Sequence, residues 1–265
     1  MTGQQSYEFH SATIRLLVIP IAIYAAWLLE IFLLEGNIHL FGRFNPIGIF
    51  LYTIIACILT GIVGPFLCIR TGFINGAVNM FQIGFRSFRR TVITCALTGS
   101  IGYGALLLFN PFGADRFAFF NAFLLMLPSV IASVMICWVL AGTHIQAYVR
   151  PGGALISTSV GIMVTTALYC MATFAFFPSD VQQEAFFSSM LVGIFAALFF
   201  FAVRDVYATS LAVGFYSVFT TAGRISPVYL QDVIPSVWIG AALSASVLIG
   251  IHFYLSRNYV TLKIS

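Results

Sequence analysis

Long apolar runs restrict the fold of this chain more than any other feature of its sequence. About 20 residues of apolar helix cross the roughly 30 Å of hydrocarbon in a bilayer, and runs of this size recur from end to end. Apolar residues make up 60% of the chain and charged residues 8%, whereas an ordinary soluble domain is about 25% charged. The sequence therefore predicts an all-α, polytopic bundle of transmembrane helices. We place the spans near residues 12–34, 47–69, 91–110, 117–141, 154–177, 187–203, 206–222 and 233–255.

The sixth and seventh runs are the shortest, and only Arg204 and Asp205 separate them. They would form either two short spans or one broken or re-entrant element, so we predict about eight spans, with seven as the alternative. No segment between spans is longer than the stretch from Arg70 to Arg90, whereas an autonomous domain usually needs about 50 residues. We therefore expect residues 1–265 to form one integral membrane domain, whose first run is too long for a cleaved signal peptide.

The basic residues predict the orientation of the bundle. Cytoplasmic loops carry an excess of Arg and Lys. With eight spans both termini lie on the same side of the membrane, and the larger set of basic residues falls on that side. This set is Arg15, Arg70, Arg86, Arg89, Arg90, Arg150, Arg204, Arg257 and Lys263. Only Arg43, Arg116 and Arg224 fall on the other side. We expect a multi-pass protein of the cell membrane with cytoplasmic termini, whose charge of +4 serves topology and anionic lipid headgroups, not nucleic acid.

A faint internal repeat divides the chain into halves 1–150 and 151–265. Leu127-Pro128-Ser129-Val130 precedes His144 at almost the same distance as Ile234-Pro235-Ser236-Val237 precedes His252. This match predicts a parallel duplication of four spans each, and a chance match is the alternative.

The segment between the second and third spans carries two stripes of helical period. One stripe is apolar and contains Ile74, Val78, Phe81, Phe85 and Phe88. The other is polar and contains Asn75, Asn79, Gln82, Arg86 and Arg89. Such a pattern predicts an amphipathic helix at the cytoplasmic interface, with Arg86, Arg89 and Arg90 near lipid phosphates. It would either anchor the adjacent spans or dock a cytoplasmic or membrane partner subunit.

Glu30 is the acidic residue that falls clearly inside a predicted span, four residues before the end of the first one. This position lies roughly 6 Å below the interface at about 1.5 Å per residue. A carboxylate inside a membrane is costly, so it is a candidate for a proton or cation site or for an ion pair with Arg43, Arg116 or Arg224. The alternative is an interfacial side chain that reaches headgroup water beside Trp27.

Other polar candidates gather near the cytoplasmic ends of the spans. His144 and His252 could relay protons or bind a metal, but no carboxylate or cysteine is spaced to complete a ligand set. Interfacial histidines that bond to water or backbone are the alternative. Arg204 and Asp205 could form an ion pair at a helix break or a gate at the cytoplasmic mouth.

Proline positions bear on the shape of the bundle. Pro20 and Pro128 lie within the first and fourth predicted spans, where each removes a backbone hydrogen bond and favours a kink. Kinked helices leave room for a cavity between them.

These features leave three functional hypotheses. We favour a small permease, or a permease subunit, for a weakly polar or amphipathic solute, because the few buried charges disfavour a strongly ionic one. The second is a non-catalytic scaffold or assembly subunit of a larger membrane complex. The third is a lipid-modifying membrane enzyme that uses His144 or His252. No catalytic motif, metal site or cofactor motif is recognised in the sequence, so we lean against an enzyme and predict no cofactor.

Overall fold

The computed structural model of the chain describes residues 17–36, 45–74, 78, 80–109, 116–176, 182–221, 230–231 and 234–259. Within these ranges the chain is almost entirely helical and contains no strand. Arg15, Arg43, Arg224 and Lys263, which the topology prediction uses, lie outside them.

Eight long helices occur within the described ranges, and we number them in chain order. They are α1 (Ile19–Ile31), α2 (Pro46–Tyr52, Thr53–Val63 and Gly64–Ile74), α3 (Phe88–Phe109), α4 (Arg116–Gly152), α5 (Ala154–Phe176), α6 (Gln182–Val203), α7 (Val206–Thr221) and α8 (Pro235–Tyr259). Each helix overlaps one predicted span, because the apolar runs that set the spans also set the helices.

Six of these helices are long and apolar enough to cross a membrane, and the segments Ile19–Leu34 and Val206–Phe219 are shorter apolar helices. The predicted membrane-type helical bundle is therefore confirmed. Six helices therefore meet the length and hydropathy of a span in the described part of the chain, whereas the sequence predicts about eight.

Helix α4 lies at the centre of the bundle, where α1, α2, α5, α7 and α8 pack around it. Every side chain from Val130 to His144 is buried. With 37 residues, α4 is about 55 Å long at roughly 1.5 Å per residue and runs past the predicted end of the fourth span at residue 141. Pro128 lies inside α4, and Pro20 lies in the first turn of the described part of α1.

The middle parts of α2 and α4 are wider than an ordinary α-helix. Both Thr53–Val63 and Val134–Gly142 are π-helical, and the amide of Gly64 donates to the carbonyl of Leu59 five residues earlier. The two helices touch closely here, because a Cβ at Gly61 would lie 2.4 Å from the Cβ of Ala132. Glycine at position 61 therefore sets how near the two helices can approach.

Polar side chains join neighbouring helices at both ends of the bundle. At one end Asn121, early in α4, bonds to the carbonyl of Leu230 and accepts from the indole of Trp238. At the other end Gln146, late in α4, bonds to Arg204. This arrangement is expected when consecutive helices run in opposite directions, because the end of one helix then lies beside the start of the next.

The amphipathic helix predicted between the second and third spans is not confirmed. Between the end of α2 at Ile74 and the start of α3 at Phe88, the described residues contain one helical turn, Met80–Ile83, followed by non-helical residues from Gly84 to Ser87. Val78 and Phe85 are 4% and 3% exposed, so they pack into the bundle. The apolar side chains in this segment are therefore spaced for burial against other helices and do not form one face of a long helix. The turn ends at Gly84, whose φ is 84°.

Candidate functional site

Asp205 lies at the junction of α6 and α7 and is completely buried. One carboxylate oxygen accepts from the backbone amide of Ala208 at 3.0 Å, which makes Asp205 the N-cap of α7. The other oxygen accepts from the hydroxyls of Thr91 and Thr94 at 2.9 and 3.1 Å. Both carboxylate oxygens therefore have partners, and they tie α3 to α7.

Arg204 ends α6 in the left-handed region, at φ 54°, which a residue with a Cβ rarely adopts. Its guanidinium donates to the carbonyl of Gln82 at 2.7 Å and to the side-chain oxygen of Gln146 at 2.5 Å. The same group lies 4.6 Å from the ring centre of Phe201, within the range of a cation–π contact. These bonds lead away from Asp205, so the two charged neighbours hold different elements.

Arg86 caps the end of α6 from the loop before α3. It donates to the carbonyl of Arg204 at 2.9 Å and to that of Val203 at 3.2 Å, and so satisfies acceptors left open by the helix end. Burial lowers the pKa of the Arg86 guanidinium, the charge of Arg90 lowers it further, and the charge of Asp205 raises it. Arg89 and Arg90 are exposed.

The loop from Gly84 to Arg86 closes over this junction. The carbonyl of Gly84 accepts from the amide of Val206 at 3.0 Å, and the ring of Phe85 lies 6.3 Å from that of Tyr207 and 5.3 Å from that of His252. Nδ1 of His252 lies 3.2 Å from the hydroxyl of Tyr207. We call this region the α6–α7 junction; it comprises Gln82, Gly84, Phe85, Arg86, Gln146, Arg204, Asp205 and His252.

His144 lies on α4 and is 1% exposed. Its Nδ1 is 2.7 Å from the carbonyl of Leu140, and since a carbonyl only accepts, Nδ1 carries the proton. Its Nε2 has no hydrogen-bond partner among the described residues. No group of three or more His, Cys, Asp or Glu that could hold a metal occurs in the described part of the chain.

Glu30 lies where α1 meets α2. One carboxylate oxygen accepts from the hydroxyl of Thr60 at 2.9 Å, and Thr60 lies midway between Pro46 and Ile74, the ends of α2. Glu30 therefore lies deeper than its distance from the end of the first predicted span indicates. Its second oxygen is buried and has no hydrogen-bond partner within the described ranges.

Aromatic side chains line the buried face of α1, next to Glu30. Trp27, one helical turn before Glu30, is 2% exposed, and its indole nitrogen has no partner among the described residues. The ring of Tyr24 lies 6.2 Å from that of Trp27, and its hydroxyl donates to the carbonyl of Leu168 on α5 at 2.7 Å. We call Trp27, Glu30 and Thr60 the Glu30 cluster.

The structure thus assembles some of the sequence candidates and separates others. Arg86, Arg204, Asp205 and His252 come together at the α6–α7 junction, whereas Glu30 lies apart from them beside Thr60. Sequence reasoning missed the hydroxyl and amide partners Thr60, Thr91, Thr94 and Gln146. The signal that could have found them is a polar side chain placed inside or at the edge of an apolar run, where it needs a partner.

No family model matches the chain, and neither a curated protein nor a solved structure is significantly similar to it.

Proposed function

We propose that this chain is a small permease of eight spans, with both termini in the cytoplasm, that moves a weakly polar or amphipathic solute. The observation that carries the proposal is the carboxylate of Glu30, which lies near the middle of the bundle with one oxygen unbonded. An ionised carboxylate at this depth is costly, and a purely structural carboxylate would have both oxygens satisfied. A free acceptor inside the bundle is what a transported solute or proton would bind.

Other buried polar groups also lack a hydrogen-bond partner in the described part of the chain. Within the described ranges they include the indole nitrogen of Trp138 on α4 and the hydroxyl of Thr166 on α5. Both helices pack against α1. Such groups could exchange hydrogen bonds with a weakly polar solute on its way through.

The α6–α7 junction supplies the second part of the proposal, in which it lies on the cytoplasmic side. A permease has to close one end of its path while the other is open, and the loop from Gly84 to Arg86 is bonded across the cytoplasmic ends of α6, α7 and α8. We propose that this loop is the closed cytoplasmic gate. Opening would require release of the bonds from Arg86 to α6 and of Arg204 to Gln82 and Gln146.

The test uses purified protein in liposomes, with uptake of labelled glycerol as the weakly polar solute and of ethidium as the amphipathic one. We expect uptake of at least one solute above that of empty liposomes, and a change in its rate or pH dependence in Glu30→Gln. Unaltered uptake in Glu30→Gln would remove Glu30 from the mechanism. Uptake equal to that of empty liposomes for both solutes would contradict the permease.

A scaffold subunit is the second candidate, and the packing of α3 favours it. Only 6% of the most apolar window of α3 is buried, against 78% for α4, and α7 is its main neighbour. The exposed Arg89 and Arg90 at its cytoplasmic end would contact anionic headgroups or a partner subunit. A partner that copurifies with the wild type and is lost in Arg89→Ala/Arg90→Ala, with Arg86 left intact to cap α6, would support this function.

A further inference from the structure

We infer that the C-terminal ends of α2 and α8 together bind an anionic phospholipid, with Arg70 and Arg257 on its phosphate. These residues belong neither to the α6–α7 junction nor to the Glu30 cluster, and the inference goes beyond the proposed function because it requires no transport. It joins three observations: two exposed arginines at the ends of apolar spans, an exposed tyrosine between them, and exposed apolar side chains next to them.

Both arginines lie where a helix leaves the hydrocarbon. The apolar span in α2 ends at Gly72 and the one in α8 ends at Asn258, so Arg70 and Arg257 each lie in the last turn of a span. Both side chains are exposed. Basic side chains at the end of a span extend to the level of the lipid headgroups, where the phosphates lie.

Aromatic contacts hold the two helix ends side by side. The rings of Phe66 on α2 and Tyr254 on α8 lie 5.5 Å apart, edge to face. The guanidinium of Arg70 lies 5.9 Å from the centre of the Tyr254 ring, and this ring belongs to a residue that is 37% exposed. Arg257 follows Tyr254 by three residues, so it lies one turn further along a neighbouring part of the helix surface. Two guanidinium groups from different helices thus flank one accessible tyrosine.

The chemistry of these groups favours a headgroup with a net negative charge. A guanidinium binds phosphate oxygens through paired N–H donors, and two such groups can share one phosphodiester. A choline or ethanolamine headgroup would bring an ammonium group close to both guanidinium groups, and this repulsion disfavours a zwitterionic lipid. The best match is a phospholipid whose headgroup carries no cation, such as phosphatidylglycerol.

Apolar side chains next to the arginines favour a lipid over a free anion. Leu67, one turn before Arg70, is 53% exposed, and Phe253, one turn before Arg257, is 68% exposed. Ile249, one further turn into the span, is 45% exposed. These side chains extend from the arginines toward the hydrocarbon, in the direction that acyl chains take. One phospholipid can therefore contact the arginines with its phosphate and the apolar side chains with its tails.

The experiment measures the binding of single phospholipids to the purified full chain in detergent by native mass spectrometry. The probes are dioleoylphosphatidylglycerol and dioleoylphosphatidylcholine, which have the same acyl chains and differ in headgroup charge. We expect the wild type to bind phosphatidylglycerol about fivefold more tightly than phosphatidylcholine, and Arg70→Gln/Arg257→Gln to lose most of this preference. Equal affinity of the wild type for the two lipids, or an unchanged preference in the variant, would overturn the inference.

The matched control removes the same charge from other exposed arginines. Arg90 and Arg150 are exposed at the start of α3 and near the end of α4, so Arg90→Gln/Arg150→Gln has the same net charge as Arg70→Gln/Arg257→Gln. We expect the control to keep the preference for phosphatidylglycerol. An equal loss in both double variants would mean that net charge alone attracts the lipid, and no site would remain.

Two further variants separate the phosphate contacts from the tail contacts. Arg70→Lys/Arg257→Lys keeps the charges without the paired donors, so it should keep part of the preference; a complete loss in this variant while folded would contradict a role for the charges. Phe253→Ala should weaken the binding of both lipids and leave the preference between them unchanged.

Two controls complete the test. Excess inorganic phosphate should leave phosphatidylglycerol bound to the wild type, whereas displacement would identify a site for free anions and overturn the lipid assignment. Because Arg70 and Arg257 are exposed, we expect Arg70→Gln/Arg257→Gln to have the Tm of the wild type in lipid-free detergent. Arg257→Gln alone provides the same comparison if the double variant does not fold.

Discussion

Glu30 and Asp205 are two carboxylates inside the same bundle, and they differ in how fully their oxygens are bonded. Asp205 is completely buried and accepts from two hydroxyls and one backbone amide. Glu30 is half-buried, and among the described residues its carboxylate has one partner, Thr60. Since satisfied buried groups stabilise a fold and unsatisfied ones cost free energy, the difference indicates a structural role for Asp205. The same reasoning gives the carboxylate of Glu30 a smaller part in stability.

The α6–α7 junction and the Glu30 cluster differ in the same way. At the junction, charged side chains reach backbone carbonyls of α6 and the loop before α3. In the Glu30 cluster, the indole nitrogen of Trp27 and one carboxylate oxygen of Glu30 have no such partner among the described residues. The comparison can be tested by removing one group at a time from each region.

The largest effect should come from Asp205→Ala. The change removes the N-cap of α7 and leaves the hydroxyls of Thr91 and Thr94 without their acceptor, so we expect a loss of about 2–3 kcal/mol in the free energy of unfolding. Thermal unfolding in detergent measures it as a clear fall in Tm. Asp205→Asn, which keeps one acceptor oxygen, should lose less. An unchanged Tm in Asp205→Ala would show that the bonded carboxylate is not structural.

Gly84→Ala should come next. Gly84 has φ 84°, and a Cβ there would lie 3.0 Å from the ring of Phe200 and 3.3 Å from the backbone of Arg204. We expect a loss of about 1–2 kcal/mol from backbone strain alone. The matched control is Gly104→Ala on α3, where a Cβ would have no neighbour within 4 Å and helix propensity favours Ala. Similar Tm shifts for both variants would mean that the loop is not held rigidly against α6.

The smallest effect on stability should come from Glu30→Gln. Thr60 can still donate to the amide oxygen, and the carboxylate that lacks a second partner is gone, so we expect a change below about 1 kcal/mol in either direction. The same thermal unfolding measurement checks it. A fall in Tm as large as that of Asp205→Ala would make Glu30 a structural residue and erase the contrast between the two regions.

The helices could be predicted from the sequence because one force fixes them. Apolar runs long enough to cross a bilayer become helices wherever hydrocarbon forces the backbone to bond with itself, so even the short runs on either side of Arg204 and Asp205 appear as α6 and α7. Hydropathy does not say which face meets protein. The most apolar 18-residue windows of α3 and α4 have mean hydropathies of 1.8 and 2.4, which both suit a membrane span, but 6% of the α3 window is buried and 78% of the α4 window.

The site could be predicted less well, because its geometry depends on partners far away in the sequence. Glu30 was found from its charge, but its depth depends on Thr60, which a pattern along one helix cannot identify. The loop before α3 has a helical stripe, and its actual path depends on Gly84 and on bonds from Arg204 to Gln82 across 122 positions of the sequence. Tertiary contacts override local period at such a place.

The two regions also differ in when they can be completed during synthesis. Glu30 and Thr60 belong to the first two helices, so their bond can form once this hairpin has entered the bilayer. The junction joins Gln82, Gln146, Arg204 and His252, which are spread over most of the chain. It can therefore form only after the last helix has been inserted, later than the bond between Glu30 and Thr60.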